Sequence, residues 1–144
     1  MDTALKKAIS QAVADEPFAR ALGITLVKLE LGHSIVEMIY RPELMANIYA
    51  KPHGGALFAL IDEAFETASQ THGIIAVALN VNVTYVQVPN DGDVLRAEAR
   101  EISLTRKTAG YEIKISNTIG ELVATCQALA YRTGKPVVPG CQAG

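Results

Sequence analysis

Charge is scarce in this chain: 19% of its 144 residues are Asp, Glu, Lys or Arg, and 13 basic against 15 acidic side chains leave a formal net charge of -2. So even a balance carries no dominant electrostatic footprint for DNA or RNA, and nucleic acid is excluded as the main partner. No apolar run approaches the roughly 18 residues that a membrane-spanning helix requires. The opening MDTALKKAISQAVADEPFA lacks the apolar middle of a secretion signal, so a cytoplasmic protein without a membrane partner is expected. Cys126 and Cys141 are the only cysteines; without a C-x-x-C spacing both read as free thiols. His33, His53 and His72 are too scattered for a metal-ligand set. Ser69, Ser103 and Ser116 lack the G-x-S-x-G surroundings of a serine hydrolase, and no Walker or dinucleotide glycine pattern is present.

Apolar residues are abundant. They make up 49% of the chain, too many for a disordered segment and enough to predict surface hidden by self-association. The length fits one domain over residues 1–136, opened by a helical segment, with 137–144 as a flexible tail. Leu5, Ala8, Ile9, Ala12 and Val13 fall at helical spacing, and residues 15–22 fit a second short turn. From Ile24 the period changes to two, with Val27, Leu29 and Leu31, a turn at Gly32-His33, then Val36, Met38 and Tyr40: a hairpin. Residues 41–52 read as irregular. AlaLeuPheAlaLeuIle at 56–61 is apolar on every side and continues into Asp62, Glu63, Glu66 and Gln70, a helix buried at its start and half exposed later.

Four alternating stretches follow, at 79–85, 95–100, 111–116 and 124–130, separated by turns rich in Gly, Asn or Asp. The last has a face of small residues, Ala124, Cys126, Ala128 and Ala130, that lets helix and sheet approach closely. One buried helix with two strands before it and four after predicts an α+β domain in which an antiparallel sheet covers the helix. Its edge strands invite a second copy, so a dimer is expected.

The chemistry concentrates in Asn47, His53-Gly54-Gly55 and Asp62, read as N-x5-H-G-G-x7-D. Five fixed residues at fixed spacing arise by chance on the order of 10⁻⁶ per position, although each alone is an ordinary loop, turn or helix-rim residue. Gly54 and Gly55 open a helix with unpaired N–H groups at the positive end of its dipole, suited to a developing oxyanion. Asp62 has Phe58 and Phe65 one turn away on either side, and partial desolvation fits it to act as base or nucleophile. Gly54 and Asp62 lie eight residues apart, roughly 12 Å along one helix, too far for both to reach one carbonyl group. Two subunits with antiparallel central helices would then each contribute half of a site.

With these residues the chain resembles the hotdog-fold acyl-CoA thioesterases, in the branch typified by the phenylacetate-pathway thioesterase. The resemblance covers roughly residues 15–133, and HGGALFALIDEAF is its most specific stretch. It implies a hotdog fold, a long central helix wrapped by a curved antiparallel sheet of about six strands, in homodimers that commonly pair into tetramers. It implies thioester hydrolysis with neither metal nor bound cofactor, CoA being part of the substrate. Asp62 matches the catalytic carboxylate supplied by the opposite subunit, and Gly54 the backbone donor that polarises the thioester carbonyl. Asn47 and His53 match side chains that orient the thioester or the attacking water, and Gly55 shapes the turn. Where some relatives carry a Ser or Thr hydroxyl beside the carboxylate, this chain has Ala78; Thr67, Asn80 and Glu66 are the candidates to replace it.

The expected function is therefore hydrolysis of an aryl-acetyl or short- to medium-chain acyl-CoA. Phe58, Ile61 and Phe65 would line the acyl channel, Gly55 would touch substrate, and Arg106 and Lys107 would hold CoA phosphates. Two alternatives stand beside it: a non-catalytic acyl-CoA-binding hotdog protein, and a hotdog dehydratase or hydratase, whose branch pairs an Asp with a His five residues later where this chain has Thr67.

Overall fold

The computed structural model describes residues 1–139; Cys141 and the end of the expected tail lie outside them. Leu5, Ile9 and Val13 share the buried face of α1 (Thr3–Asp15), whose N-terminus is capped by the Asp2 side chain accepting from the Leu5 N–H. Pro17 starts α2 (Pro17–Leu22), and Gly23, at φ 70, ends it in the left-handed conformation that glycine adopts without strain. The hairpin of β1 (Thr25–Glu30) and β2 (His33–Ile39) follows. The segment read as irregular contains one helical turn, α3 (Pro42–Met45), which Pro42 initiates. After α4 (Gly54–Ser69) come β3 (Ile74–Tyr85), β4 (Val94–Leu104), β5 (Thr108–Ser116) and β6 (Leu122–Pro136). The α+β order holds, two strands before the central helix and four after it.

All six strands form one antiparallel sheet in the order β1-β2-β4-β5-β6-β3. The strand that follows the central helix thus travels to the far edge, where it pairs with β6, Val77 facing Tyr131 and Tyr85 facing Ala124. Both strands outrun their alternating stretches. β3 begins inside the continuous apolar run IIAVAL, and β6 extends through YRTGKP, where no apolar face marks a strand.

Helix α4 lies on one face of this sheet and buries Leu60, Ile61, Ala64, Phe65 and Ala68 against strand residues such as Val36, Leu95 and Ile113. Close approach is possible because the facing strands present small side chains: Ala97, Ala99, Ala124, Cys126, Ala128 and Ala130 are all buried. Each large apolar side chain removed from water here contributes about 1.5–3 kcal/mol before entropy is counted. Burial pushes the Cys126 thiol up to about 11, so it behaves as a small apolar side chain rather than a nucleophile.

The two edges of the sheet differ. β1 is six residues long and lies under α1, where Leu5, Ile9 and Leu29 form a second apolar cluster joined by Val137 and Val138. The Val137 N–H also donates to the Gly73 carbonyl at 2.9 Å, so the start of the expected tail is packed and hydrogen-bonded. β3 is twelve residues long, and Ile75, Val77 and Leu79 are exposed along it. Among the described residues, no helix is long and apolar enough to cross a membrane.

Candidate active site

The loop that delivers the chain to α4 is held by its own backbone. Ala46 and Pro52 form an isolated bridge, the Asn47 N–H donates to the Lys51 carbonyl at 2.7 Å, and the Ala50 N–H to the Asn47 carbonyl at 3.0 Å. The Asn47 side-chain oxygen accepts from the N–H groups of Tyr49 at 2.9 Å and Lys51 at 3.1 Å. With that oxygen committed to the loop, the amide NH₂ is the part of Asn47 free to meet a ligand. The tight closure leaves Ala50 at φ 56, a left-handed conformation that costs a non-glycine residue on the order of 1 kcal/mol.

His53 caps α4. Its Nδ1 accepts from the Gly55 N–H at 2.8 Å, which places the proton of the neutral ring on Nε2 and makes that nitrogen a donor. A Cβ on Gly55 would stand 2.9 Å from Nδ1, closer than the ring tolerates, so glycine is needed for the cap to form. The Gly55 N–H is therefore occupied, and the sequence-level picture of two free N–H groups is corrected to one. Among the described residues the Gly54 N–H has no acceptor, and it points from the positive end of the helix.

Tyr85, which the sequence reading missed, fixes this end to the edge strand: its hydroxyl donates to the Gly54 carbonyl at 3.0 Å. A Cβ on Gly54 would come within 3.2 Å of that hydroxyl. Its only sequence signal is an aromatic at the end of an alternating run.

Two turns along α4, Asp62 opens into a cleft of about 200 Å³ lined with Phe65, Glu66, Ser69 and residues 76–78. Desolvation, followed by the charge of Glu16, holds its carboxyl above the ordinary Asp value. Ala78, the position without a hydroxyl, lines the same cleft as Asp62. Of the candidates to replace it, Thr67 is committed elsewhere: its Oγ1 lies 2.6 Å from Ser34 Oγ and donates to the Glu63 carbonyl at 2.7 Å. The same bonds leave Thr67 no part in the acid–base pair of a dehydratase. Glu66 lines the cleft, whereas Asn80 does not. Ser69 brings a hydroxyl to the same wall and donates to the Glu66 carbonyl at 2.9 Å; reading serines for a nucleophile elbow passed over it.

The remaining expected contacts divide. Phe58 is partly exposed, while Phe65 is buried edge-on against Tyr111 at 5.4 Å and only borders the cleft. Ile61 is fully buried in the core, which corrects its expected place in an acyl channel. Arg106 and Lys107 stand exposed in the β4–β5 turn, with Lys107 Nζ over the Tyr131 ring at 5.5 Å. Neither lines the Asp62 cleft. One chain thus carries a donor end at Asn47, His53 and Gly54 and an acidic flank at Asp62, separated along α4.

A family model described as the Thioesterase superfamily matches residues 52–124, from the N-terminus of α4 into β6. A "Putative esterase" of Archaeoglobus fulgidus is 35% identical over 120 residues, 82% of this chain and 76% of that protein. "Acyl-coenzyme A thioesterase PaaI" of Escherichia coli is 32% identical over 116 residues, 81% of this chain and 82% of that protein. The solved structure of the E. coli PaaI protein superposes with a TM-score of 0.87 at 29% identity, covering 92% of this chain and 95% of that one. A Streptococcus mutans protein solved bound to acetyl CoA superposes with a TM-score of 0.74 at 28% identity, covering 78% and 90%.

Proposed function

The chain belongs to the thioesterase superfamily, and on that premise we propose that it is an acyl-CoA thioesterase whose active site is assembled from two copies of the chain. The observation that carries this reading is the division of α4. Its one free N-terminal N–H and its cleft-borne Asp62 sit two turns apart, and a bare twelve-residue edge strand runs past both, Tyr85 at one end and Ala76 to Ala78 at the other. A second copy pairing along β3 in antiparallel fashion sets the donor end of one helix against the acidic flank of the other, twice by symmetry.

In such a site the thioester carbonyl oxygen accepts from the Gly54 N–H, which stabilises the negative charge that develops there. Asn47 and His53 Nε2 present donors beside it. Asp62 of the other protomer, raised in basicity by desolvation, takes a proton from water as the water oxygen bonds to the carbonyl carbon. Collapse breaks the carbon–sulfur bond, the carboxylic acid forms, and CoA leaves as the thiol with the proton returned. The substrate class is an aryl-acetyl or short- to medium-chain acyl-CoA, and no step calls on a metal or a bound cofactor.

The test is thiol release from purified protein against a panel of acetyl, longer aliphatic, phenylacetyl and benzoyl CoA esters. Saturable hydrolysis is expected, and Asp62→Asn, which keeps size and hydrogen bonding but removes the base, lowers kcat by about 10²-fold or more. Normal turnover in Asp62→Asn rejects the assignment. A second reading has one observation in its favour, the absent hydroxyl at Ala78. A protein that binds acyl-CoA without turnover shows tight CoA-ester binding and flat thiol traces in the same panel.

A further inference from the structure

Beside the Asp62 cleft lies a larger cavity of about 650 Å³ between α1, α4 and the start of β3. The two adjoin, sharing Glu66, Ala76 and Val77 as walls. Ala8, Ala12, Ile75 and Val137 make much of the cavity wall apolar. Against that wall stand Glu16, Glu63 and Glu66, each with a carboxylate oxygen within 4.8 Å of the other two. Glu63 is 4% exposed, and its Oε1 is buried with no hydrogen-bond partner. The carboxyls facing it accept hydrogen bonds and, unless protonated, donate none. Three acids meet here, one of them with a buried, unpartnered oxygen; they lack positive charge, and the one donor the cluster can supply for itself is a proton held on a carboxyl, which an arriving cation would replace.

Resting on the thioesterase reading, we propose that the preferred acyl group ends in a primary ammonium, which Glu16, Glu63 and Glu66 hold at the far end of this cavity. An ammonium has three donors and no acceptor. Three oxygens placed about 2.8 Å from its nitrogen at tetrahedral angles lie about 4.6 Å apart, inside the 4.8 Å that bounds the separations of the three carboxylates. A hydroxyl at the chain end satisfies one of the three. A hard divalent ion takes about six or more oxygens; of the other polar groups lining the cavity, the Thr67 hydroxyl is bound to Ser34 and the Glu63 carbonyl, Gln70 bonds the backbone of Ala76 through both ends of its amide, and Asp15 stands outside the three-carboxylate cluster with its Oδ2 accepting from Gln11 Nε2 at 2.9 Å. Asp62 and Glu66 are one helical turn apart, about 6 Å, so an extended chain of about five or six bonds joins the thioester carbon to the nitrogen at about 1.3 Å per bond. The apolar wall receives its methylenes.

The experiment compares kcat/KM for 6-aminohexanoyl-CoA and heptanoyl-CoA, equal in length and differing in ammonium against methyl. The ammonium substrate is expected to be preferred by roughly tenfold or more, the scale of charge-assisted hydrogen bonds. Glu16→Gln and Glu63→Gln each pull that ratio towards one. Equal rates in the unaltered protein overturn the proposal. Should no thioester be hydrolysed, the thioesterase reading fails, and calorimetric titration with free 6-aminohexanoate and heptanoate still reads the cavity. Tighter binding of the amino acid, weakened by Glu63→Gln, supports the ammonium site; equal binding rejects it. Calcium chloride that binds more tightly than 6-aminohexanoate and displaces it assigns the three carboxylates to a metal ion and also rejects it.

Discussion

The first turn of α4 and its last two turns obey opposite electrostatic rules, although one helix carries both. Helices ordinarily place acids in the first turn and bases in the last, to oppose their own dipole. Here the first turn holds no acid and the last holds no base. The start is Gly-Gly-Ala, capped by a neutral histidine ring and tied down by Tyr85. Asp62, Glu63 and Glu66 crowd further along, each held above its ordinary value chiefly by burial. An arrangement that forgoes stability at both ends of a helix marks a site. The empty first turn keeps a positive, donor-bearing end open to an incoming oxyanion, and the acidic flank keeps a base in low water. The distance between them is what the proposed two-copy site rests on.

The sharpest way to break this comparison is to let one protomer repair the other. Asp62→Asn and Asn47→Ala subunits, each expected to be inactive alone, are mixed under conditions that exchange subunits. Random pairing then gives half hybrids with one intact site each, about a quarter of the unaltered activity. Hybrids that form and stay inactive show that the halves are not shared between protomers.

A smaller effect is expected at the donor end. Gly55→Ala improves intrinsic helix propensity by about 1 kcal/mol, yet its Cβ would stand 2.9 Å from His53 Nδ1 and force the ring out of its cap. The expected outcome is a loss of roughly tenfold in kcat with little change in melting temperature, as expected when a positioning contact is lost and the fold is kept. Unchanged kcat would show that the cap has no part in placing His53 Nε2.

How much of this was legible follows from how local each feature is. The loop and helix start are continuous in sequence, so the spacing of Asn47, His53, Gly54 and Asp62 could be read directly, and period-two runs announced the strands. Strand order could not be read. β3 follows α4 but pairs with β6, and nothing in VALNVNVTY names a partner some fifty residues away. For the same reason Tyr85 was missed beside Gly54, since it acquires that place from an element brought alongside by folding; Ser69, two turns past Asp62 on the same helix, was legible from its spacing. Glu16 is the clearest case: it ends α1 as the residue after Asp15, an ordinary helix boundary, until α1 packs beside α4 and sets it against Glu63 and Glu66. Even the Gly55 N–H, rightly seen as a helix-terminal donor, could not be known to be occupied before the His53 ring was placed.

The smallest effect sharpens the acidic side of the comparison and reads stability rather than rate. Burial, and after it the charges of Glu16 and Glu66, push Glu63 up to about 8 from an ordinary 4.5. Between those values the folded chain keeps a proton that the unfolded chain releases, so the folded state binds more protons and stability falls as pH rises through that window. Glu63→Gln removes the titration and gives the buried site an NH₂ to donate to Glu16 or Glu66. Its melting temperature at pH 8 is expected to exceed that of the unaltered protein by about 5 °C, the scale of 1–2 kcal/mol in a domain of this size, with the two converging near pH 5. A melting curve equally steep in pH for both proteins would place the proton on another carboxyl. With Glu16, Glu66 and Asp62 all within electrostatic reach, repeating the measurement in Glu16→Gln, Glu66→Gln and Asp62→Asn would then identify which one holds it.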